Sequence, residues 1–215
     1  MTVLEMWKAN AAVYLLLVVL NASVFTLGNT PWMVIGMVLL ALAMFYTFRQ
    51  GMNFGHRACG ILQMASHTAA PESPAYGQVD ASVWKGAWSP ARGVRGVLAC
   101  GLVPYCIGCA YIACSLLNAE RLVPVLRLVS WLTAMPFWPL VLPWTQTFDR
   151  LTGTVAAVLM ISPFVLPLCM YAGYMQGPKL WARSEKAMAE GRRRAKAKSR
   201  VNRKRPVPRA QRPEI

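Results

Sequence analysis

Residues 9–48, 96–119, 128–148 and 151–178 contain no Asp, Glu, Lys or Arg. A helix needs about 20 mostly apolar residues to cross roughly 30 Å of hydrocarbon, and each of these blocks is long enough. The helices and strands of a soluble domain interrupt their apolar positions with polar ones at a period of 3.6 or 2. Blocks of this kind therefore disfavour a soluble fold. Composition agrees, with 56% of the 215 residues hydrophobic and 14% charged, against about 25% charged in a typical soluble domain. The expected fold is an all-α integral membrane protein, with a transmembrane domain over residues 1–177 and a basic tail over 178–215.

Spans are predicted over 11–28, 31–48, 96–117 and 153–175. Gly28, Asn29, Thr30 and Pro31 predict a tight turn between the first two. Gly or Asn ends one helix in the left-handed conformation, Thr30 caps the next, and Pro31 suits its first turn. The first span reads as uncleaved, because Asn21-Ala22-Ser23 makes a poor small-x-small cleavage site. Mixed apolar character after Arg49 predicts a helical extension of the second span. Pro71, Pro74, Gly77, Gly86, Pro90 and Gly93 then predict a loop over 69–95, with Trp84 and Trp88 suited to the headgroup level.

Residues 128–148 decide the topology. Their length suits a span, yet Pro136, Pro139 and Pro143 remove helical hydrogen bonds that lipid does not replace. Four spans with both termini cytoplasmic leave 20 Lys and Arg inside, and only Arg121, Arg127 and Arg150 outside. Five spans with the tail inside leave 16 inside and 7 outside. The positive-inside rule favours a four-span helical bundle of an inner or plasma membrane. The 128–148 segment becomes a re-entrant or interfacial Pro/Trp-rich element on the outer face.

Chemistry-bearing groups are sparse. The six cysteines do not read as a secreted disulfide framework. Cys106 and Cys109 form a CxxC whose thiols lie one helical turn apart, which allows a redox pair. A CxxC within a span is similar to that of four-helix membrane thiol oxidoreductases of the vitamin K epoxide reductase type. That resemblance implies a membrane thiol oxidoreductase with a second cysteine pair in a loop, whereas here only Cys59 lies outside the spans. Packing is the stronger reading: Cys106, Ala110 and Cys114 recur every fourth residue beside Gly108, and small residues at that spacing let helices approach closely. His56, Cys59 and His67 do not match zinc-ligand spacing, and no cofactor is expected. The spans hold no ionisable residue of the kind that couples transport to ions.

Two functional readings follow. Pro104, Pro163 and Pro167 within spans, with Pro136, Pro139 and Pro143, are hinge positions that free backbone carbonyls. A small transporter or channel component built on them predicts a polar cavity bounded by Pro104, Pro163 and 128–148. The favoured reading is a non-enzymatic accessory or scaffolding subunit of a larger membrane complex or homo-oligomer. It rests on the tail, which holds 14 of the 23 Lys and Arg. Lys179, Arg183, Arg192, Arg193, Arg194, Lys196, Lys198, Arg200, Arg203, Lys204 and Arg205 would bind anionic lipid, RNA or an acidic partner. Residues 184–197 favour helix, and the polar, Pro-containing sequence after Ser199 predicts disorder.

Overall fold

The structure is a computed structural model that describes residues 3–25, 29–68, 87–117, 122–141 and 151–204. Among the described residues every regular element is helical. The chain divides into two compact units, Met1–Pro178 and Lys179–Ile215. Helices α1 (Val3–Phe25), α2 (Asn29–Thr68), α3 (Pro90–Leu116), α4 (Val123–Ala134), α5 (Trp138–Val141) and α6 (Gly153–Met175) form the first unit. Helix α7 (Gly177–Lys204) supplies the described part of the second from Lys179 onward. Five helical stretches are long and apolar enough to cross a membrane: Val3–Phe25, Thr30–Met64, Pro90–Leu116, Val123–Leu140 and Gly153–Lys196.

Residue pairings fix the directions of the long helices. Phe25 meets Trp32 edge-on, with ring centroids 4.8 Å apart, so α1 and α2 form an antiparallel hairpin. Gly93, Gly101 and Gly108 of α3 face Tyr171, Phe164 and Leu159 in turn, which makes α3 and α6 antiparallel. Gly51 and Gly55 of α2 face Met170 and Tyr174, so α2 and α6 run parallel. Met6 of α1 packs on Gly96 of α3, closing a ring in the order α1, α2, α6, α3.

The α2–α6 crossing is the tightest in the bundle. Gly51-x-x-x-Gly55 meets Gly173-x-x-x-Gly177, and a Cβ on any of the four would overlap backbone atoms of the facing helix. Small residues at this spacing let backbones approach within a bilayer. Helix α2 has 40 residues, or about 60 Å at 1.5 Å per residue. That is twice the thickness its apolar part needs, and its far portion extends beyond the crossing.

The segment starting at Val123 inserts into the ring. Trp131 lies near Phe25, with ring centroids 6.2 Å apart, at the end of the bundle that bears Trp32. Phe137 clusters deeper, with Leu17, Leu40, Ala43 and Leu166. Pro139 then meets Asn21 and Gly36, one turn back toward that end. The 3₁₀ turn Met135–Phe137 interrupts the helix between these contacts. Val123 and Leu151 pack on the same apolar cluster around Trp32, Tyr111, Val155 and Leu159.

Two prolines make the 3₁₀ turn, and their lost donors are replaced locally. Pro136 cannot serve the Leu132 carbonyl, which instead accepts from Met135 N–H. Pro139 cannot serve the Met135 carbonyl, which accepts from Trp138 N–H. Each residue before a proline closes an i→i+3 bond in place of the missing i→i+4 bond, and that produces 3₁₀ geometry. Trp138 Nε1 also donates to the Trp131 carbonyl at 3.2 Å. Every residue from Ala134 to Pro139 is buried.

Several boundaries differ from expectation. Helix α1 starts at Val3, well before residue 11. Asn29 and Thr30 are already helical, so Thr30 does not cap α2. Helix α3 begins at Pro90 after the extended Ser89, six residues before the expected Gly96, because Pro90 fits the first turn. Inserted helix starts at Val123 instead of 128. Helix α7 continues past Ser199 to Lys204, favoured by its Ala, Lys and Arg content. The expected turn over 28–31 lies partly outside the described residues, and Trp84 and Pro143 lie outside them.

Candidate functional site

Among the regions that carry polar or reactive groups, the cleft between α1 and α3 is the most developed. It encloses ≈ 370 Å³, within the size range of small-molecule sites. Helix α1 contributes Trp7, Asn10, Tyr14 and Val18, and α3 contributes Cys100, Val103, Pro104 and Ile107. Val129, Leu132 and Thr133 of the inserted helix and Pro163 of α6 complete the lining. The hinge positions Pro104 and Pro163 therefore meet the inserted segment around a cavity. Its walls are chiefly apolar, not the polar lining that a transporter reading predicts.

Polar groups in this cleft are few and buried. Asn10 is 6% exposed. Its Oδ1 and the Tyr14 hydroxyl are both enclosed without a hydrogen-bond partner. Thr133 differs, because its hydroxyl donates to the Ser130 carbonyl at 2.9 Å. Pro104 lacks an N–H, so the Cys100 carbonyl loses its helical donor beside the same space. Leu15 and Val103, which also line the cleft, are both exposed.

Deeper in the bundle, Asn21 is fully buried and its Nδ2 donates to the Leu17 carbonyl at 2.9 Å. Thr47, also fully buried, donates to the Ala43 carbonyl at 2.9 Å. Such local bonds let polar side chains sit on packed helix faces. At the bundle end opposite Trp32, the 87–89 loop is clasped to two helices. Trp88 N–H donates to the Ala58 carbonyl at 3.0 Å, and Ser89 N–H donates to the Tyr174 hydroxyl at 3.1 Å. The Trp88 and Tyr174 rings stack at 6.2 Å. Cys59 is buried here as well.

The CxxC residues diverge in their surroundings. Cys106 is exposed on α3, while the Cys109 thiol lies 3.8 Å from the Met160 sulfur on α6. Ala110 and Cys114 are half-buried. Close approach of α3 to α6 is made by Gly108, Gly101 and Gly93, and the signal for it was a glycine spacing of seven and eight residues.

In the second unit, every residue from Glu185 to Lys196 is exposed, as are Lys179 and Arg183. Arg192, Arg193, Arg194 and Lys196 thus stand on an open helical surface. Lys198, Arg200, Arg203 and Lys204 continue the helix, and Arg205 lies outside the described residues. No family model, curated protein or solved structure matches the chain.

Proposed function

We propose that the chain is a four-span protein of an inner or plasma membrane with both termini cytoplasmic. It acts as a non-enzymatic accessory or scaffolding subunit whose basic helix holds the anionic membrane surface. The observation that carries this reading is the exposed run from Glu185 to Lys196, joined to a bundle with long apolar helices. Juxtamembrane Lys and Arg gain about 1 kcal/mol each near an anionic leaflet. The segment after Val123 fits a re-entrant element entered from the outer face, since Val123 and Leu151 share one apolar cluster.

Binding is tested with the full chain in neutral lipid nanodiscs and vesicles containing phosphatidylserine. Vesicle capture is expected to fall steeply with salt, because exposed charges are screened. Truncation after Gly177 is expected to abolish it. Capture that survives truncation, or equal capture by phosphatidylcholine vesicles, would refute the lipid role. Preferential binding of RNA over vesicles would move the tail to an RNA partner.

Topology has a separate measurement. Leu122→Cys and Ala189→Cys, both at exposed positions, are labelled in sealed vesicles with a membrane-impermeant maleimide and mapped by peptide mass. Four spans place them on opposite sides. Labelling from the same side would establish five.

A further inference from the structure

We propose that α1 and α2 hold one anionic phospholipid, with its phosphate on Arg49 and Arg57 and one acyl chain in the groove between the two helices. Arg49, Asn53 and Arg57 recur every fourth residue, so they share one face of α2 over about 12 Å. All three are exposed, and with Tyr46, Gln50 and Phe54 they line a hollow of ≈ 370 Å³. Among the described residues neither guanidinium has a hydrogen-bond or ion-pair partner, and no Asp or Glu lines the hollow. A guanidinium presents forked donors that match phosphate oxygens, and the Asn53 amide between the two adds a further N–H donor. With no carboxylate lining it, the hollow has nothing to hold the ammonium of a zwitterionic headgroup. It therefore favours a lipid of net negative charge.

The hollow shares two of its residues with an apolar neighbour. Tyr46 and Gln50 also line a groove of ≈ 390 Å³ between α1 and α2. Gln50 Nε2 donates to the Tyr46 hydroxyl at 2.9 Å, which marks the boundary between the charged part and the apolar part. From there the groove reaches Leu39 on α2 and Leu20 on α1. Leu17 and Ala43 form its buried floor, and Leu16 and Leu42 its exposed rims. Leu39 to Gln50 spans about 16 Å, half of the roughly 30 Å of hydrocarbon, which is the depth open to an acyl chain of one leaflet. Arg49 is the first charge after the block 9–48, so the hollow falls at the headgroup level of that leaflet. Charge and groove together select the occupant. Free phosphate would leave the groove empty. A second copy laid two-fold on the same face would set its own Arg49 and Arg57 against these. The proposal rests on the membrane reading for the source of the lipid and makes no use of the tail.

The test uses the full chain in neutral detergent and a phosphatidic acid that carries a diazirine on one acyl chain. Photolabelling is expected to saturate on the α1 and α2 peptides that hold Leu16, Leu20, Leu39 and Leu42. Unlabelled phosphatidic acid should displace the probe, whereas phosphatidylcholine and glycerol 3-phosphate should not. Arg49→Gln combined with Arg57→Gln should weaken apparent affinity about tenfold or more, the scale of lost hydrogen bonds to a charged group. Both positions are exposed, so the unfolding midpoint without lipid should match that of the parent. That second readout separates lost recognition from lost folding. Ala12→Phe, at an exposed position of the groove, should reduce labelling with both arginines intact. Equal displacement by phosphatidylcholine would overturn the proposal. So would displacement by glycerol 3-phosphate, which would make the hollow a site for a soluble anion. Unchanged affinity in the double variant, or labelling spread evenly to outward α3 residues such as Leu98 and Leu102, would also overturn it. Adducts on α1 and α2 report this site and adducts after Gly177 report the tail, so each reading can fail alone.

Discussion

Gly51→Val is expected to destabilise the bundle by about 3 kcal/mol or more, the upper range for overpacked sites. A Cβ at Gly51 overlaps the Met170 carbonyl, and one at Gly173 overlaps the Phe48 carbonyl. These are backbone atoms of rigid helices, so no rotamer change relieves the clash. The two helices must separate, and the packing between them loosens over several turns. Gly173→Val should behave alike, and the double variant should lose less than the sum because both open one crossing. Gly153→Ala is the matched control, with open space around its position. Equilibrium unfolding in mixed micelles, followed by tryptophan fluorescence, measures the effect. A Gly51→Val midpoint equal to that of Gly153→Ala would show that the crossing is not close.

The second large effect is expected at the apex of the inserted segment. Phe137 is 4% exposed and Trp138 2% exposed, and truncating such residues to alanine typically costs 3–5 kcal/mol. Phe137→Ala opens a void among Leu17, Leu40, Ala43 and Leu166. Trp138→Ala removes a side chain from the Trp32 cluster together with the bond to the Trp131 carbonyl. Both variants should unfold at lower denaturant and become sensitive to protease between Leu122 and Leu151. An outward-facing change, Leu128→Ala at 59% exposure, should be near neutral in detergent. Full stability in Phe137→Ala would mean that the apex does not support the ring.

Legibility in the sequence followed the range of the forces involved. Charge-free blocks depend on hydrocarbon thickness alone, so the α1–α2 hairpin and α6 were readable from composition. The 128–148 anomaly was readable because proline removes donors wherever it stands. What replaces those donors was not readable, since the bonds from Met135 to Leu132 and from Trp138 to Met135 depend on the turn's own geometry. Gly51 and Gly55 escaped notice because they lie among Arg49, Asn53 and Arg57, in what reads as a polar extension. Their partner pair at 173 and 177 sits over 100 residues away, and only the fold brings the pairs together. Asn10 and Tyr14 look like ordinary helix positions until α3 and the inserted segment enclose them.

The walls around the inserted segment come from both sides of it in the chain. Leu17 and Leu40 precede Phe137, whereas Val155, Leu159 and Leu166 follow it. During synthesis the segment is therefore complete before its enclosure is. Until α6 arrives, Met135, Phe137 and Trp138 have only part of their final surroundings, and exposed apolar surface in an unfinished chain invites wrong partners. Arrival of α6 closes two contacts in one event, the glycine crossing on α2 and the cover over the proline turn. The last long helix of the first unit, α6, is thus the one that commits that bundle to its shape. A chain cut short before Gly153 and released would leave Met135, Phe137 and Trp138 open to a chaperone or quality-control protease.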